Sequence, residues 1–496
     1  MTATQTTEAR ADLANPHHDR RWLILALLGT AQLMVVLDAT VVNIALPSAQ
    51  KALGFSDANR QWIVTAYSLT FGSLLLLFGR FGDLFGRKRT LVIGLVGFGV
   101  ISALGGAAQS FGVLVTARAF QGAAGALLAP SALSLLTTTF TEPRERGIAF
   151  GIYGAIAGAG GAVGLLLGGV LTEYLSWRWC LYVNVVIAVP AVLAALALLT
   201  NEVPAERPRL DMPGAAAVSL GLFALVYGFS QAEPRGWTDV VTLGSLIAGV
   251  ILLAVFVVIE RRAAHPLLPL RIVLDRNRGG SYLSVLISGA GLFGVFLFLT
   301  YYLQKTLNYS PVVTGLAFLP MVGMIVIGST TSNAVLLGRV GPKPLVPTGM
   351  LLAALGMAIL AQLGVHSTYA GHILPALLVI GLGLGLIFAP SMNTATLGVE
   401  PSDAGVASAT VNSCQQVGGS IGTAFLNTIA TTAVTSYLAG RALTPLVSAQ
   451  AAVHGYTVAF WWAAGIFGLG AVVSGTLLRP GVAVGAAEAE PVPVVA

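Results

Sequence analysis

The chain has 496 residues, 56% of them hydrophobic and 9% charged, with a net charge of +6 and a mean hydropathy of +0.84. Soluble domains carry about 25% charged residues, so this sequence cannot cover a water-facing surface, and it reads as an all-α polytopic membrane protein. Its basic residues are scattered through short loops, which excludes a nucleic-acid-binding patch. Cys180 and Cys414 offer neither a disulfide framework nor a metal-ligand spacing.

Residues 1–21 form a polar tail. Arg20-Arg21 abuts an apolar segment long enough to span a bilayer, so that segment is expected to act as its own insertion signal without a cleaved leader. Inside it lies Leu37-Asp38-Ala39-Thr40-Val41-Val42-Asn43-Ile44-Ala45-Leu46-Pro47. A carboxylate at mid-membrane costs roughly 2.5–3.5 kcal/mol even on lenient scales, and such an acid marks a functional site by default. Asn43 is offset from Asp38 by about 140° around a helix. The pattern therefore has Asp38 facing a cavity and Asn43 bonding to a neighbouring helix. The plainer alternative is that Asp38 only ties two helices together.

Apolar segments of about 20 residues, the length a bilayer demands, recur along the chain. They fall near 22–46, 59–79, 90–109, 112–138, 148–171, 180–200, 213–231, 240–260, 280–304, 312–337, 345–365, 371–397, 404–435 and 456–478. Fourteen spans put both termini on one side. The loops and tails of that side hold roughly 19 basic residues against roughly six on the other, so both termini are expected in the cytoplasm. The tail 479–496 is Ala/Val/Pro/Glu-rich and is expected to be disordered.

The sequence repeats internally. Ala129-Pro130-Ser131 precedes Glu142-Pro143, Gly147, Gly160-Gly161 and Gly164; Ala389-Pro390-Ser391 precedes Glu400-Pro401, Gly405, Gly418-Gly419 and Gly422. Both copies run in the same direction, as in transporters built from parallel repeats that rock around a midplane site. The offset leaves room for two extra helices. The expected domains are a six-helix bundle over 22–200, a linker with two inserted helices over 201–262, and a second six-helix bundle with its preceding loop over 263–478.

Several motifs carry chemistry. Gly79-Arg80-Phe81-Gly82-Asp83-Leu84-Phe85-Gly86-Arg87-Lys88-Arg89 falls in the loop between the second and third helices. Its glycines permit a tight turn and close helix approach, and Asp83 among cations suits a gate that closes and reopens; a pure topology signal would need only the cations. Gly79, Asp83, Gly86, Arg87 and Lys88 are the candidate gate. Arg118, in Arg118-Ala119-Phe120-Gln121-Gly122, lies inside the fourth helix and needs a partner. Counting from the outer helix ends puts it ~10 Å deep and Asp38 ~13 Å deep, so the two charges lie at similar levels and can pair directly or through water. The fifth helix is crowded with glycines, including Gly160, Gly164, Gly168 and Gly169, a composition that lets helices approach and slide. Asn43, Tyr67, Gln121, Phe296, Tyr301, Asn393, Asn412 and Gln416 are polar or aromatic positions within apolar helices and are the candidate cavity walls. No Ser/His/Asp set, nucleophile elbow or histidine ligand spacing is present.

The Asp38 stretch, the Gly79–Arg89 segment, Arg118-x-x-Gln121-Gly122 and the glycine-rich fifth helix together resemble the major facilitator superfamily, and within it the fourteen-helix drug:proton antiporter branch. The resemblance runs from about Trp22 to Leu478. Trp62-x-x-Thr65-Ala66-Tyr67, Trp177-Arg178-Trp179 with Asn184, and Tyr309-Ser310-Pro311 with Gly315 and Pro320 also look like branch features. The sequence departs from the family where the antiporter motif has Gly-Pro: here Gly164-Leu165 precedes Gly168-Gly169, so the helix lacks a built-in kink. Leu84 stands where an Arg often follows the loop Asp, and no second membrane acid lies well inside the last six helices.

The resemblance implies a secondary transporter rather than an enzyme. Its expected work is proton-driven efflux of lipophilic drugs across the bacterial cytoplasmic membrane by alternating access. Asp38 would carry the proton, with Arg118 beside it. No cofactor beyond the proton motive force is implied, and the partners are lipid, protons and a lipophilic small molecule, with the protein acting as a monomer. A dedicated exporter of one secondary metabolite, or a proton-coupled importer, is the alternative.

Overall fold

A computed structural model of the protein describes residues 18–55, 57–200, 211–264, 266–400, 403–442 and 444–481. The expected N-tail up to residue 17, the linker 201–210 and most of the C-tail lie outside the described residues. Among the described residues every regular element is helical. This follows from the composition: long apolar stretches in lipid must satisfy their backbone N–H and C=O groups internally, and a helix does so within one segment.

The first half contains α1 (Arg21–Leu53), α2 (Asp57–Phe85), α3 (Arg87–Gly106), α4 (Phe111–Thr139), α5 (Pro143–Tyr174) and α6 (Trp179–Leu198). Two inserted helices follow, α7 (Met212–Arg235) and α8 (Val240–Arg262). The second half contains α9 (Arg276–Thr306), α10 (Val312–Val340), α11 (Pro342–Leu360), α12 (Tyr369–Thr396), α13 (Ala404–Leu438) and α14 (Pro445–Leu477). Twelve of these are apolar and long enough to cross a membrane. The other two are α5, with 32 residues, and α13, with 35 residues. These are the two glycine-rich repeat helices, and both are long enough to cross a bilayer.

The sequence periodicity placed some helix ends too early. α1 runs past Pro47 to Leu53, where Gly54 closes it in the left-handed region (φ 68°). α2 continues to Phe85, so Gly79 to Phe85 is helix and not loop. Gly86 alone makes the turn into α3, at φ 93°, a conformation that glycine adopts without steric cost. α9 and α10 carry π-helical turns at Val295–Leu299, Tyr302–Thr306 and Ser332–Leu336.

The packing is twofold. In the first half α2 packs on α4, α4 on α3, α3 on α6, and α1 on α5, α6 and α4. In the second half α10 packs on α12, α12 on α11, α11 on α14, and α9 on α13, α14 and α12. Two seams join the halves and are related by the same repeat: α5 against α10 and α12, and α13 against α2 and α4. The inserted α7 packs against α2 and α13, beside one seam only, and α8 packs on α7.

Candidate functional site

Asp38, on α1, is fully buried in the core of the first half (0% exposed). Its Oδ2 accepts from an Arg118 guanidinium nitrogen at 2.5 Å, and its Oδ1 accepts from Gln121 Nε2 at 2.8 Å and Asn184 Nδ2 at 2.7 Å. Arg118 and Gln121 stand three residues apart on α4, on one helical face, and a second bond joins them, from the guanidinium to Gln121 Oε1 at 2.6 Å. Arg118 Nε donates to the Ile63 carbonyl on α2, and Gln121 Nε2 also donates to Ser102 Oγ on α3. The Tyr67 ring lies 4.3 Å from the guanidinium carbon, a cation–π contact. Seven residues from five helices thus make up one buried cluster around the ion pair.

An ion pair removed from water persists only when hydrogen bonds satisfy its remaining valences, and the amides of Gln121 and Asn184 do so for Asp38. The arrangement is interdependent: this one carboxylate holds side chains of α4 and α6 to α1. The sequence offered Asn184 only as a feature of the family resemblance. Ser102 carried no such signal.

The glycines of α5 lie directly over this turn of α1. A methyl group at Gly160 would meet Val36 Cγ1 at 2.8 Å, one at Gly164 would collide with Thr40 Oγ1, and one at Gly168 would lie 3.0 Å from the Val41 carbonyl. Gly169 is buried beside them. No proline follows Pro143 in α5, which runs as one uninterrupted helix, and Leu165 packs into the core.

The candidate cavity residues separate. Tyr67 and Gln121 are buried as partners of the charge cluster. Phe296 stacks near Phe318 (centroids 5.3 Å) and covers Gly161 of α5, so it sits where the halves meet. Asn412 is buried and bonds back to Ser408 of its own helix. Gln416 is half-buried, near Gly72 of α2. Tyr301 is 39% exposed and lies over Lys305, away from the other candidates. Asn43 lies in α1, and its side chain is outside the described residues.

Asn393 belongs to a lock at the arginine-rich face. Arg146, at the start of α5, donates from Nε to Asn393 Oδ1 at 2.9 Å and from a terminal nitrogen to Thr396 Oγ1 at 3.0 Å, both on α12. A further bond reaches the Thr137 carbonyl on α4, and Asn393 Nδ2 donates to Asn333 Oδ1 on α10. At the other seam Gly79 admits α13: a methyl there would collide with Ala409 Cβ and lie 3.0 Å from the Gly405 carbonyl. The charge that joins the halves here is Arg80, which pairs with Asp403 at 3.0 Å. Asp403 also binds Arg271 at 2.8 Å, and Arg271 binds Glu400 at 2.8 Å. Lys88 caps the end of α6 through the Leu196 and Leu199 carbonyls, within the first half. Arg87 opens α3, and the Asp83 side chain lies outside the described residues. Asp403 was not singled out by any sequence motif.

The comparisons with known proteins agree with this architecture. The profile of the Major Facilitator Superfamily matches residues 28–423. Puromycin resistance protein pur8 of Streptomyces alboniger is 52% identical over 461 residues, 92% of each chain. The cephamycin export protein CmcT of Amycolatopsis lactamdurans is 41% identical, over 82% of this chain and 84% of its own. The tetracenomycin C resistance and export protein of Streptomyces glaucescens is 37% identical, over 83% of this chain and 76% of its own. In fold, the crystal structure of the human organic anion transporter MFSD10 (TETRAN) superposes with a TM-score of 0.62 at 16% identity, covering 92% of this chain and 99% of that one. Two parallel six-helix repeats, a buried charge cluster in the first of them and a profile match spanning both lead to one assignment: this multi-pass membrane protein belongs to the Major Facilitator Superfamily.

Proposed function

We propose that the protein exports an antibiotic-class lipophilic compound from a bacterial cell across its cytoplasmic membrane, in exchange for protons, by alternating access of its two halves. The observation that carries the proposal is the 52% identity to a puromycin resistance protein across 92% of both chains. In this reading all fourteen long helices span the bilayer, the arginine-rich face is cytoplasmic and holds both termini, and a single chain is the working unit. The residues 22–200 and 263–478 are the rocking halves.

Asp38 is the proton carrier. Open to the outside, it takes a proton as drug leaves; open to the inside, it releases the proton as drug enters. Protonation removes the negative charge that holds Arg118, Gln121 and Asn184 together, so the core of the first half repacks. Drug and proton drive the cycle only by binding the two states differently. In everted vesicles, Asp38→Asn is expected to abolish substrate uptake driven by a pH gradient. Uptake that still follows the gradient in that variant would remove Asp38 from the carrier role.

A narrower reading has its own support. The relatives bear the names of single antibiotics, puromycin, cephamycin and tetracenomycin C. A dedicated exporter of one such metabolite is the second proposal. A vesicle panel of dyes and antibiotics that includes puromycin separates the two, since a dedicated exporter moves one chemical class and a multidrug pump moves several.

A further inference from the structure

The inserted helices α7 and α8 lie outside the charge cluster and outside both repeats, yet one of their residues is built into the seam beside them. Glu260, in the last turn of α8, is only 5% exposed. Its Oε1 accepts from the backbone N–H of Leu267 at 3.1 Å and its Oε2 from that of Leu268 at 3.0 Å. Both leucines are buried, so the strap between α8 and α9 is clamped at its middle. The preceding residue, Pro266, turns its carbonyl to Arg80, which donates to it at 3.3 Å while pairing with Asp403. Further along the strap, Arg271 takes the other oxygen of Asp403.

α7 closes on the same point. Asp211 caps its first turn through the Gly214 N–H, and a methyl group at Gly214 would lie 2.8 Å from Glu260 Oε1. A continuous path of hydrogen bonds therefore runs from α8 through the strap to Arg80 of the first half and Asp403 of the second. Arg80 reaches Asp403 from the same position in which it holds the Pro266 carbonyl, so the strap fixes where the guanidinium points.

We propose that Glu260 is a positioning residue through which the inserted helix pair sets the strength of the Arg80–Asp403 latch between the two halves. Charge-assisted bonds to two backbone N–H groups are among the stronger polar contacts. A glutamine keeps one acceptor but turns an amide N–H toward a backbone N–H, which releases the strap and leaves Arg80 free to leave Asp403. The inserted pair thereby biases which side of the transporter is open. This inference rests on the alternating-access reading, but its test does not require a substrate.

Spin labels at Phe85 and Val340, exposed positions of the two halves at the arginine-rich face, in a background with Cys180→Ala and Cys414→Ala, report the opening of that face in lipid nanodiscs. Glu260→Gln is expected to raise the open-to-closed ratio by roughly three- to tenfold, as Asp403→Asn does. The double variant is expected to go no further than the larger single effect, because both act on one path. Arg262→Gln, an exposed neighbour on α8, is expected to change nothing. An unchanged distance distribution in Glu260→Gln, or effects of Glu260→Gln and Asp403→Asn that multiply, overturns the relay. If Glu260→Gln does not fold, hydrogen exchange of residues 263–269 in Asp403→Asn decides: lost protection supports the relay and retained protection overturns it. Loss of antibiotic efflux in the unmutated protein would sink the export proposal and leave these distances untouched.

Discussion

The two seams between the halves are related by the repeat but are fastened by different chemistry. At the seam of α2 with α13, the latch is ionic: Arg80 meets Asp403, whose second oxygen is held by the largely exposed Arg271. At the seam of α5 with α10 and α12, a buried guanidinium is held by neutral groups: Arg146 meets Asn393, Thr396 and the Thr137 carbonyl. The carboxylates that correspond in the repeat, Glu145 and Asp403, each bind an arginine at or shortly before the start of the first helix of their own half, Arg21 at 2.6 Å and Arg271 at 2.8 Å. Among the described residues, Asp403 also takes a second arginine, Arg80, from the opposite half. Symmetry of fold therefore coexists with division of labour. An ionic contact whose carboxylate can be held by an exposed second arginine, Arg271, can exchange partners and suits a latch, whereas a buried guanidinium with neutral partners suits a pivot that stays dry.

The comparison breaks first at Arg146. Hydrogen bonds to a charged group contribute roughly 1.5–3 kcal/mol each, and removing this side chain also leaves Asn393 and Thr396 with unmet buried acceptors. Arg146→Ala is expected to lower the midpoint of thermal unfolding in detergent markedly and to reduce efflux together with it. Arg80→Gln also breaks a largely buried pair, but Asp403 keeps its second arginine, Arg271, so the carboxylate is not left unpaired. Its unfolding midpoint is expected to stay near that of the unmutated protein while the arginine-rich face opens more often. If the two variants lose thermal stability equally, the pivot and latch assignments fail.

A second, smaller contrast lies in glycine. Gly79-Arg80-Phe81-Gly82 has a counterpart at Gly338-Arg339-Val340-Gly341, at the end of α10. A methyl group at Gly79 runs into Ala409 and the Gly405 backbone, whereas one at Gly338 meets nothing within 4 Å. Overpacking of a close helix contact costs about 1–3 kcal/mol. Gly79→Ala should thus slow efflux severalfold by forcing α2 from α13, and Gly338→Ala should leave it unchanged. Equal initial rates for the two in a vesicle efflux assay would show that the motif works through its charges alone.

Much of this was readable in the residues, for physical reasons. A bilayer demands about 20 apolar residues per crossing, so the helices announce themselves, and the Glu-Pro pairs at 142 and 400 mark the repeat. Depth along a helix is simple arithmetic, which is why Asp38 and Arg118 could be set at one level before their 2.5 Å contact was seen. Other features depend on crossing angles that no local pattern encodes. Gly79 and Gly82 read as turn residues, yet they lie in α2, and Gly79 serves the contact with α13. The basic run at 87–89 drew attention to the start of α3, while the arginine that bridges the halves is Arg80, whose partner Asp403 is 323 positions away. Tyr67 and Gln121 looked like cavity walls because a polar group in an apolar helix signals need for a partner without saying whether that partner is a ligand or a buried charge.

The smallest expected effect is at the outer rim of the latch, where Arg271 and Glu400 are both exposed. The Arg271 hydrogen bond, and then its charge, hold the Glu400 carboxyl below the usual glutamate range. The same bond raises the Arg271 guanidinium. A carboxyl depressed on folding contributes its stability above the ordinary value of about 4.3, and loses it only as the pH falls through the depressed value. The pair therefore stays charged across the pH range in which a bacterial membrane works, and it cannot serve as the proton switch. Glu400→Gln is expected to leave the pH dependence of efflux unchanged between about pH 5 and 8, and to make the effect of added salt on the latch distance smaller, since exposed pairs are screened. A shifted pH profile in that variant would move the proposed proton-sensing role from the core of the first half to this rim, and would make the ionic seam, rather than Asp38, the place where protons are expected to act.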